Sequence, residues 1–299
     1  MLGTASAMPD RERSQSAQVL SVHGRLFLID CGEGTQGRLL RCGISMMKIE
    51  GIFLSHIHGD HIFGLFGLLS TLGMKGRQIP LSIFAPPNFG PILNFFLSYY
   101  GDGISYEIRF TPLKMNSPEK ILRAKSFEVL AFPLRHGIET FGFLFREKQP
   151  PWNVRKELIP RYGLTLTEIG TLKRGEDVVR EDGQVISAAE CSYKPYEPRS
   201  YAYCSDTAVF PEEREWLRGV DLLYHESTYT EAFRDSAYAR FHSVTSDVAA
   251  LAASLGVKKL VIGHYSSRCR DISLYEKECR AVFPETVAAS DGDVFEIEK

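Results

Sequence analysis

The sequence predicts a layered α/β fold for this chain of 299 residues. Short runs of apolar, β-branched and aromatic residues alternate with stretches whose apolar residues recur at helical spacing. Several of the short runs are almost continuously apolar, which is typical of strands buried on both faces. Neither an internal repeat nor a low-complexity linker divides the chain. We therefore expect a single domain spanning residues 1–299, with strands and helices packed in layers.

Nine runs predict strands. The first three are RLFLID, GIFLS and LSIFA, each short, apolar and bounded by polar or turn residues. Two longer runs follow, FEVLAFPL and FGFLFRE, and then YAYCSD, DLLYHE and KLVIGH, each of which ends in a residue able to bind metal or protons. The last, VFEIE, alternates apolar and acidic residues. These runs lie at residues 25–30, 51–55, 81–85, 127–134, 141–147, 201–206, 221–226, 259–264 and 294–298.

Four stretches predict helices. The first three are residues 62–72, 91–100 and 245–255. Residues 274–282 repeat apolar positions at helical spacing, and Pro284 lies just beyond them.

Composition bounds the class of protein. The chain has 35 Lys and Arg against 37 Asp and Glu, and 44% of its residues are hydrophobic, which excludes a disordered chain, a collagen or a polybasic tail. No apolar run approaches the length of about 18–20 residues that crosses a bilayer, and we find no secretory signal. The six cysteines form no CxxC pair. We expect reduced thiols in a cytoplasmic protein with no membrane partner.

The strongest chemical signal is the loop His56-Ile57-His58-Gly59-Asp60-His61, which joins an apolar strand to an apolar helix. Imidazole and carboxylate groups are the ligands that zinc and related cations bind. Extended backbone places His56 and His58 on one side, and Gly59 permits a sharp bend before Asp60 and His61. Four ligands therefore crowd two neighbouring metal positions. The alternative is a polar surface loop that is merely rich in histidine.

Three further candidate ligands, His136, Asp206 and His264, each lie at the end of a predicted strand. Loops at strand ends are where α/β scaffolds build their sites. A single histidine in such a place is more often structural, but all three share this placement with the histidine-rich loop. We therefore expect them to complete a metal centre.

These motifs resemble the metallo-β-lactamase superfamily, which carries an HxHxDH loop followed by later His, Asp and His ligands. Within it the chain resembles the ribonuclease Z (tRNase Z) family, which removes the 3′ trailer of precursor tRNA. The resemblance covers nearly the whole chain. LIDCGEGTQ at 28–36 is one of the matching parts, and the elements that point to this family are HEST at 225–228, HS at 242–243 and GHYSSR at 263–268.

The resemblance implies the metallo-β-lactamase fold, a four-layer αββα sandwich, with two Zn²⁺ ions per chain, although other divalent metals share these ligands. One ion would take His56, His58 and His136, and the other Asp60, His61 and His264. Asp206 would bridge them. A metal-bound hydroxide would attack the phosphodiester and leave a 3′-OH on the tRNA and a 5′-phosphate on the trailer.

Four residues receive further roles from the resemblance. His242 would protonate the leaving oxygen, Glu226 would orient and charge His242, and Asp60 would also orient the attacking hydroxide as a general base. Arg268 would hold a substrate phosphate by a bidentate contact. The alternatives are that His242 caps the following helix and that Arg268 is a solvated loop charge. His225 would be an outer partner of the centre or simply structural.

Residues 146–200 differ in character from the rest. The Pro150-Pro151 pair is followed by a polar stretch rich in Lys and Arg. We predict an inserted arm at about 148–196 that projects from the domain and is not a second core. The arm of the resembled family grips the tRNA body and usually carries a Gly-Pro motif, which YGLTLT at 162–167 lacks. The alternatives are an ordinary surface excursion or a dimer contact.

The leading hypothesis is thus a hydrolase, a zinc-dependent tRNA 3′-processing endoribonuclease that acts on precursor tRNA as a homodimer. Two other classes remain open. One is another dinuclear metal hydrolase of the same fold acting on a small phosphodiester, lactone or thioester. The other is an RNA-binding scaffold without catalysis. The sequence does not decide whether tRNAs that already carry CCA are rejected.

Overall fold

A computed structural model describes residues 1–8, 11–268 and 271–298. The strands within these residues are β1 Gln18–Val22, β2 Arg25–Ile29, β3 Ile49–Phe53, β4 Leu81–Ala85, β5 Ile108–Pro112, β6 Glu119–Arg123, β7 Phe127–Leu134, β8 Thr140–Glu147, β9 Asn153–Val154, β10 Val178–Val179, β11 Val185–Ile186, β12 Ser192–Tyr193, β13 Ser200–Cys204, β14 Leu222–Glu226, β15 Lys259–Gly263 and β16 Thr286–Ala288. The helices are α1 Thr35–Arg41, α2 Gly59–Met74, α3 Phe89–Tyr100, α4 Leu158–Tyr162, α5 Leu166–Lys173, α6 Ala188–Cys191, α7 Glu213–Trp216, α8 Arg234–Tyr238, α9 Thr245–Leu255 and α10 Ile272–Arg280.

Two large sheets form the centre of the molecule. The first has the order β1-β2-β3-β4-β5, and the second has the order β16-β15-β14-β13-β8-β7-β6. Their facing sides bury a cluster rich in aromatic residues, in which Phe53 stacks on Phe84 and contacts Phe143 and Phe145 of the opposite sheet. Helices α1, α2 and α3 cover the outer face of the first sheet, and α9 and α10 cover the second. The predicted four-layer αββα arrangement is confirmed.

Strand direction explains why the site lies at one edge. Strands β2 to β5 are mutually parallel, and so are β13 to β16. Because β7 and β13 are both antiparallel to β8, they run in the same direction as each other. The carboxyl ends of β7, β13, β14 and β15 therefore meet at one edge of the second sheet, where His136, Asp206 and His264 follow their strands.

The predicted strand at residues 294–298 is wrong. The final strand is Thr286–Ala288, and the later residues pair with no strand among those that the structure describes. The segment instead lies against the N-terminus, whose Met1 amino group donates to the Asp293 carbonyl. Phe295 and Ile297 are partly buried against the core between the sheets. This burial on alternate residues produced the pattern that resembled a strand.

The inserted segment has more internal structure than the sequence predicted. Strands β9 to β12 and helices α4 to α6 enclose a small hydrophobic cluster of its own, which corrects the expectation that this segment lacks a core. Its apolar residues are Val154, Leu164, Leu172, Val178, Ile186, Ala188 and Cys191. They are too widely spaced among polar residues to show a strand or helix period. The two ends of the segment meet, since the Glu147 amide donates to the Arg199 carbonyl at 2.9 Å.

The length and hydropathy of each helix show whether it could span a membrane. Within the described ranges, none of the helices is both long enough and apolar enough to cross a bilayer.

Candidate metal centre

The histidine-rich loop is held between two buried elements. Strand β3 ends at Phe53, His58 is in an extended conformation, and α2 begins at Gly59. Helix α2 is anchored because its buried side chains, among them Ile62, Leu65 and Leu69, face the first sheet. The loop therefore projects its imidazoles toward the edge where β7, β13 and β15 end. The structure brings all seven predicted ligands together there.

The first cluster contains His56, His58, His136 and Asp206. His56 Nε2 lies 3.0 Å from His58 Nδ1, and His136 Nε2 lies 3.4 Å from the same atom. Asp206 Oδ2 lies 3.7 Å from His56 Nε2 and 3.9 Å from His136 Nε2. Ligands around a tetrahedral zinc ion are about 3.3–3.5 Å apart, given metal–ligand distances of about 2.0–2.2 Å. The spacing fits one cation.

The second cluster contains Asp60, His61 and His264, with Asp206 again at its border. Asp60 Oδ2 lies 3.4 Å from His61 Nε2 and 3.5 Å from His264 Nε2. The other oxygen of Asp206, Oδ1, lies 3.4 Å from His61 Nε2 and 3.2 Å from His264 Nε2. The Asp206 carboxylate thus presents one oxygen to each cluster, which is the geometry of a bridging ligand.

Unpaired polar atoms test whether these residues fit a metal. His61 Nε2, His264 Nε2 and Asp206 Oδ1 are buried and have no hydrogen-bond partner in the described part of the chain. A buried polar atom without a partner costs about 1–3 kcal/mol, so proteins rarely leave three of them facing one another. Divalent cations would satisfy all three, and the donor set of imidazole nitrogens and carboxylate oxygens suits zinc.

Partners behind the ligands hold the imidazoles in place. His61 Nδ1 lies 2.8 Å from Asp30 Oδ2, and His264 Nδ1 lies 2.8 Å from Thr228 Oγ1. His56 Nδ1 lies 2.9 Å from Ser55 Oγ. In each case one ring nitrogen is bound to the protein and the other faces the cluster, as in metal sites whose histidines are oriented by outer hydrogen bonds.

Sequence reasoning did not identify these outer partners. Asp30 directly follows an apolar strand, and Thr228 lies in the HEST motif. Both positions could therefore have been predicted from the sequence as part of the site. Ser55 could not have been. Asp30 and His264 also have positive φ angles of 55° and 62°, and so does Phe241 at 57°, whose carbonyl lies 3.1 Å from His136 Nδ1. Such backbone is costly for residues other than glycine and tends to occur at functional sites.

The carboxylates of the centre are ionised. Burial raises the pKa of Asp60, but the nearby imidazoles of His61 and His264 hold it below its usual range. Burial likewise raises the pKa of Asp206, and the imidazoles of His264 and His61 lower it further than burial raises it. Burial lowers the pKa of His56, so its ring favours the neutral form that binds metal.

His242 and Glu226 form a pair beside the second cluster. His242 Nδ1 lies 2.9 Å from Glu226 Oε1, and a ring nitrogen of His242 lies within 4.8 Å of ligand atoms of Asp206 and His264. The fully buried Glu226 carboxylate also accepts hydrogen bonds from the backbone amides of residues Thr207, Thr228 and Ser243. Glu226 is thereby fixed in position.

The electrostatics of this pair suit an acid. Burial lowers the pKa of His242, but the charge of Glu226 and its hydrogen bond raise it to about 9. Glu226 therefore favours the protonated form of His242. It does not cap the following helix, because α9 begins after Val244 and has no side-chain cap. That alternative interpretation of His242 is wrong.

Outside the two clusters lie Arg268, His225 and His23, the last a histidine with no predicted role. Arg268 is exposed four residues beyond His264, and its backbone amide donates to Ser266 Oγ at 3.3 Å. His23 lies elsewhere, with Nε2 3.0 Å from Glu147 Oε1. His225 is fully buried, and its ring faces neither cluster of the centre but Glu213.

Comparison with known proteins matches one family model to the first third of the chain and named relatives to nearly all of it. A family model described as "Anti-Pycsar protein Apyc1" matches residues 1–94. The chain is 38% identical over 292 residues to ribonuclease Z of Bacteroides fragilis, covering 98% of this chain and 96% of that one. It is 40% identical over 296 residues to ribonuclease Z of Cytophaga hutchinsonii, covering 99% and 94%.

Solved structures show the same fold. The short form of human tRNase Z superposes with a TM-score of 0.70 at 25% identity, covering 99% of this chain and 98% of that one. The metallo-β-lactamase fold protein YhfI of Bacillus subtilis superposes with a TM-score of 0.69 at 17% identity, covering 99% and 97%.

Proposed function

Given that this chain belongs to the ribonuclease Z family of metallo-β-lactamase-fold hydrolases, we propose that it is an endoribonuclease that removes the 3′ trailer from precursor tRNA. The observation that carries the proposal is the Glu226–His242 pair beside the two clusters, which share Asp206. A metal centre alone would serve many hydrolases of this fold. A buried carboxylate that keeps a histidine protonated next to the centre suits a substrate whose leaving group needs a proton.

We propose that the two clusters hold two Zn²⁺ ions. His56, His58 and His136 would bind one, Asp60, His61 and His264 the other, and Asp206 would bind both. When bound, the ions lower the pKa of a water molecule and stabilise the charge that develops on the phosphodiester. Asp60 keeps a second carboxylate oxygen that can orient the attacking water and accept its proton.

The leaving group is the 3′ oxygen of the tRNA, which departs as a strong base unless it is protonated. His242 Nδ1 is bound to Glu226, so Nε2 carries the proton that can be transferred. Glu226 stabilises the protonated ring before the transfer. The products are a tRNA with a free 3′-OH and a trailer with a 5′-phosphate. The proposed contact of Arg268 with a flanking phosphate is supported by its exposure in the segment after β15.

The direct test is incubation of the metal-loaded chain with a precursor tRNA that carries a 3′ trailer. We expect one cut near the discriminator nucleotide, with the product ends given above, and a mature tRNA of the same sequence run in parallel shows how an already processed 3′ end is treated. If the metal-loaded protein leaves the precursor intact but hydrolyses a small phosphodiester, lactone or thioester, it belongs with the other hydrolases of this fold.

The inserted arm is the proposed grip on the tRNA body. Two of its arginines already bind carboxylates of the arm, because Arg174 pairs with Glu176 and Arg180 pairs with Glu168. These two are less available to bind RNA phosphates. Arg155 and Arg161 are exposed, and each lies over a tyrosine ring of the arm. The backbone amide of Arg155 also donates to the Cys191 carbonyl at 2.8 Å. Two exposed cations beside aromatic rings suit an RNA backbone.

Removal of the arm separates its role from catalysis. Because the Glu147 amide and the Arg199 carbonyl already meet, a short turn can replace residues 150–195. We expect the deleted chain to lose precursor-tRNA cleavage while it keeps hydrolysis of a small phosphodiester. The milder double variant Arg155→Glu/Arg161→Glu should weaken binding and reduce the slope of log Kd against log salt by roughly one unit for each phosphate that the arm no longer binds.

A matched control is Lys277→Glu, which reverses an exposed charge on α10. It should leave both binding and the salt slope unchanged. Full tRNA cleavage by the deleted chain would remove the arm from substrate recognition.

We further propose that the protein is a homodimer joined through α2 and α3. These helices pack against each other through Phe66 and Phe96, yet they expose several large apolar side chains. Phe63, Met74, Phe95, Tyr99 and Tyr100 are between 63% and 79% exposed. Phe95 and Tyr99 contact each other, and exposed groups of large apolar side chains favour an interface with another protein chain. A second copy of the chain is the partner that the family resemblance indicates.

Charge placed on this surface should separate the subunits. Phe95→Glu would bury a carboxylate in the interface, so we expect light scattering after gel filtration to give the mass of one chain in place of two. Val294→Glu is the matched control, because Val294 is 85% exposed and lies on the C-terminal segment. A wild-type mass of one chain at micromolar concentration would contradict the homodimer.

We place the protein in the cytoplasm, where its proposed substrate is made.

A further inference from the structure

A second group of metal-binding side chains lies outside the centre described above. Cys204, Glu213 and His225 are fully buried, and their ligand atoms lie within 4.8 Å of one another. Cys204 ends β13, His225 lies in β14, and Glu213 begins α7. The proposed function uses none of them.

Strand register explains why two of these residues meet. Cys204 and His225 are direct partners in the parallel pair β13–β14, so their side chains leave the sheet on the same face. This is the face covered by helices, because Cys204 and Leu223 pack in the cluster beneath α9 and α10. The neighbours Tyr203 and Tyr224 point the other way, into the core between the sheets. The group therefore lies on the outer side of the second sheet.

The contacts of His225 prepare it to bind a cation. Its Nδ1 lies 2.6 Å from the Glu226 carbonyl, so Nδ1 carries the proton and donates it. Nε2 is then left with its lone pair facing the group. Metal-binding histidines characteristically donate their other N–H to a carbonyl or carboxylate in this way.

The distance between His225 and Glu213 also favours an ion between them. His225 Nε2 lies 3.7 Å from Glu213 Oε1, which is too far for a hydrogen bond. Both atoms are buried and lack a hydrogen-bond partner among the described residues. The proposed dinuclear centre shows the same separation and the same kind of unpaired atoms. There, His56 Nε2 and Asp206 Oδ2 are 3.7 Å apart, and three buried ligand atoms lack a hydrogen-bond partner among the described residues.

We propose that Cys204 Sγ, Glu213 Oε1 and His225 Nε2 bind a third divalent cation of the zinc type. Thiolate, imidazole and carboxylate together select zinc or a similar borderline cation over magnesium or calcium. Water completes the coordination. As the metal–sulfur bond forms, the Cys204 thiol loses its proton to solvent, and the cation is held by one thiolate, one carboxylate and one neutral imidazole.

The position of this cation assigns it a structural role. The chain between Cys204 and Glu213 carries Asp206 and Thr207, and Thr207 donates its amide to Glu226. His225 directly precedes Glu226. A cation that joins β13, β14 and α7 would therefore fix both ends of the segment that presents the bridging carboxylate, and would hold the strand that presents Glu226.

Cobalt tests the proposal with a signal that the dinuclear centre cannot give. None of the seven proposed ligands of that centre is a cysteine, so a thiolate-to-cobalt charge-transfer band in the near ultraviolet reports a Co²⁺–cysteine bond elsewhere. We expect the full chain, produced in cobalt-supplemented minimal medium, to show this band and to contain about three Co²⁺ per chain. Cys204→Ser should lose the band and about one Co²⁺.

The other thiols provide controls. Cys42→Ser, Cys269→Ser and Cys279→Ser should each keep the band; the Cys279 thiol is buried and donates to the Thr245 carbonyl, which a serine hydroxyl can replace. A cobalt-loaded wild-type chain with two Co²⁺ and no thiolate band would overturn the proposal, whether or not Cys204→Ser folds. Loss of the band on replacement of another cysteine, with its retention in Cys204→Ser, would overturn it as well. Neither result depends on cleavage of tRNA.

Discussion

Replacement of Asp206 by alanine is expected to abolish trailer removal and to deplete both metals. The Asp206 carboxylate has one oxygen 3.7 Å from His56 Nε2 and the other 3.2 Å from His264 Nε2, so its loss removes a ligand from both clusters at once. Metal ions contribute several kcal/mol to stabilisation of the transition state, and each 1.36 kcal/mol is a factor of ten in rate. We expect kcat/KM to fall by at least about 10³-fold.

A matched carboxylate separates this effect from simple destabilisation. Asp221 is also buried and hydrogen-bonded, but to Ser200 and Lys258, away from the clusters. Asp221→Ala should lower the thermal unfolding temperature while the folded fraction keeps its metal and its kcat per metal-loaded chain. An Asp206→Ala protein that retains two metals and normal cleavage would contradict the bridging role.

Replacement of His242 by alanine should slow cleavage of precursor tRNA without removing metal. General acid catalysis is worth about 10²–10⁴-fold, and we expect a loss in that range. The cause can be isolated with a small diester that has a nitrophenolate leaving group, which departs without a proton. With that substrate, His242→Ala should reduce the rate of hydrolysis by less than about tenfold. Metal content measured on the same sample checks that the centre is intact.

Two further variants complete this test. Glu226→Gln keeps the shape of the side chain but removes the charge that raises the pKa of His242. Its rate of precursor-tRNA cleavage should therefore lie between those of the wild type and His242→Ala. His23→Ala removes a histidine that contacts Glu147 and Tyr196, outside both clusters, and this variant should cleave precursor tRNA at the wild-type rate. Equal losses on both substrates in His242→Ala would assign His242 to substrate binding or structure in place of acid catalysis.

Much of this protein was predictable because its strongest signals are local. Four of the seven proposed ligands lie within six residues, from His56 to His61, and strand β3 and helix α2 on either side have clear apolar patterns. The later ligands could be placed because each follows an apolar run, and parallel strands bring their carboxyl ends to one edge. The αββα layering came from the family resemblance, and the two sheets confirm it.

Other features depend on residues far apart in the chain. Alternation at residues 294–298 reflected packing against the core, since no strand lies beside that segment among the described residues. The small cluster inside the arm joins residues separated by up to 37 positions, from Val154 to Cys191, with no period between them. Periodicity reports which side of an element is buried, but it does not report what the buried side meets.

The sequence by itself determined which residues make up the candidate centre, because all seven proposed ligands lie in one loop and at three strand ends. Only the tertiary structure decided how they are used. It turned the two oxygens of Asp206 toward different clusters, placed Asp30 and Thr228 behind His61 and His264, and paired Cys204 with His225 across β13 and β14. These relations follow from strand register and direction, which long-range packing sets and which no local pattern encodes.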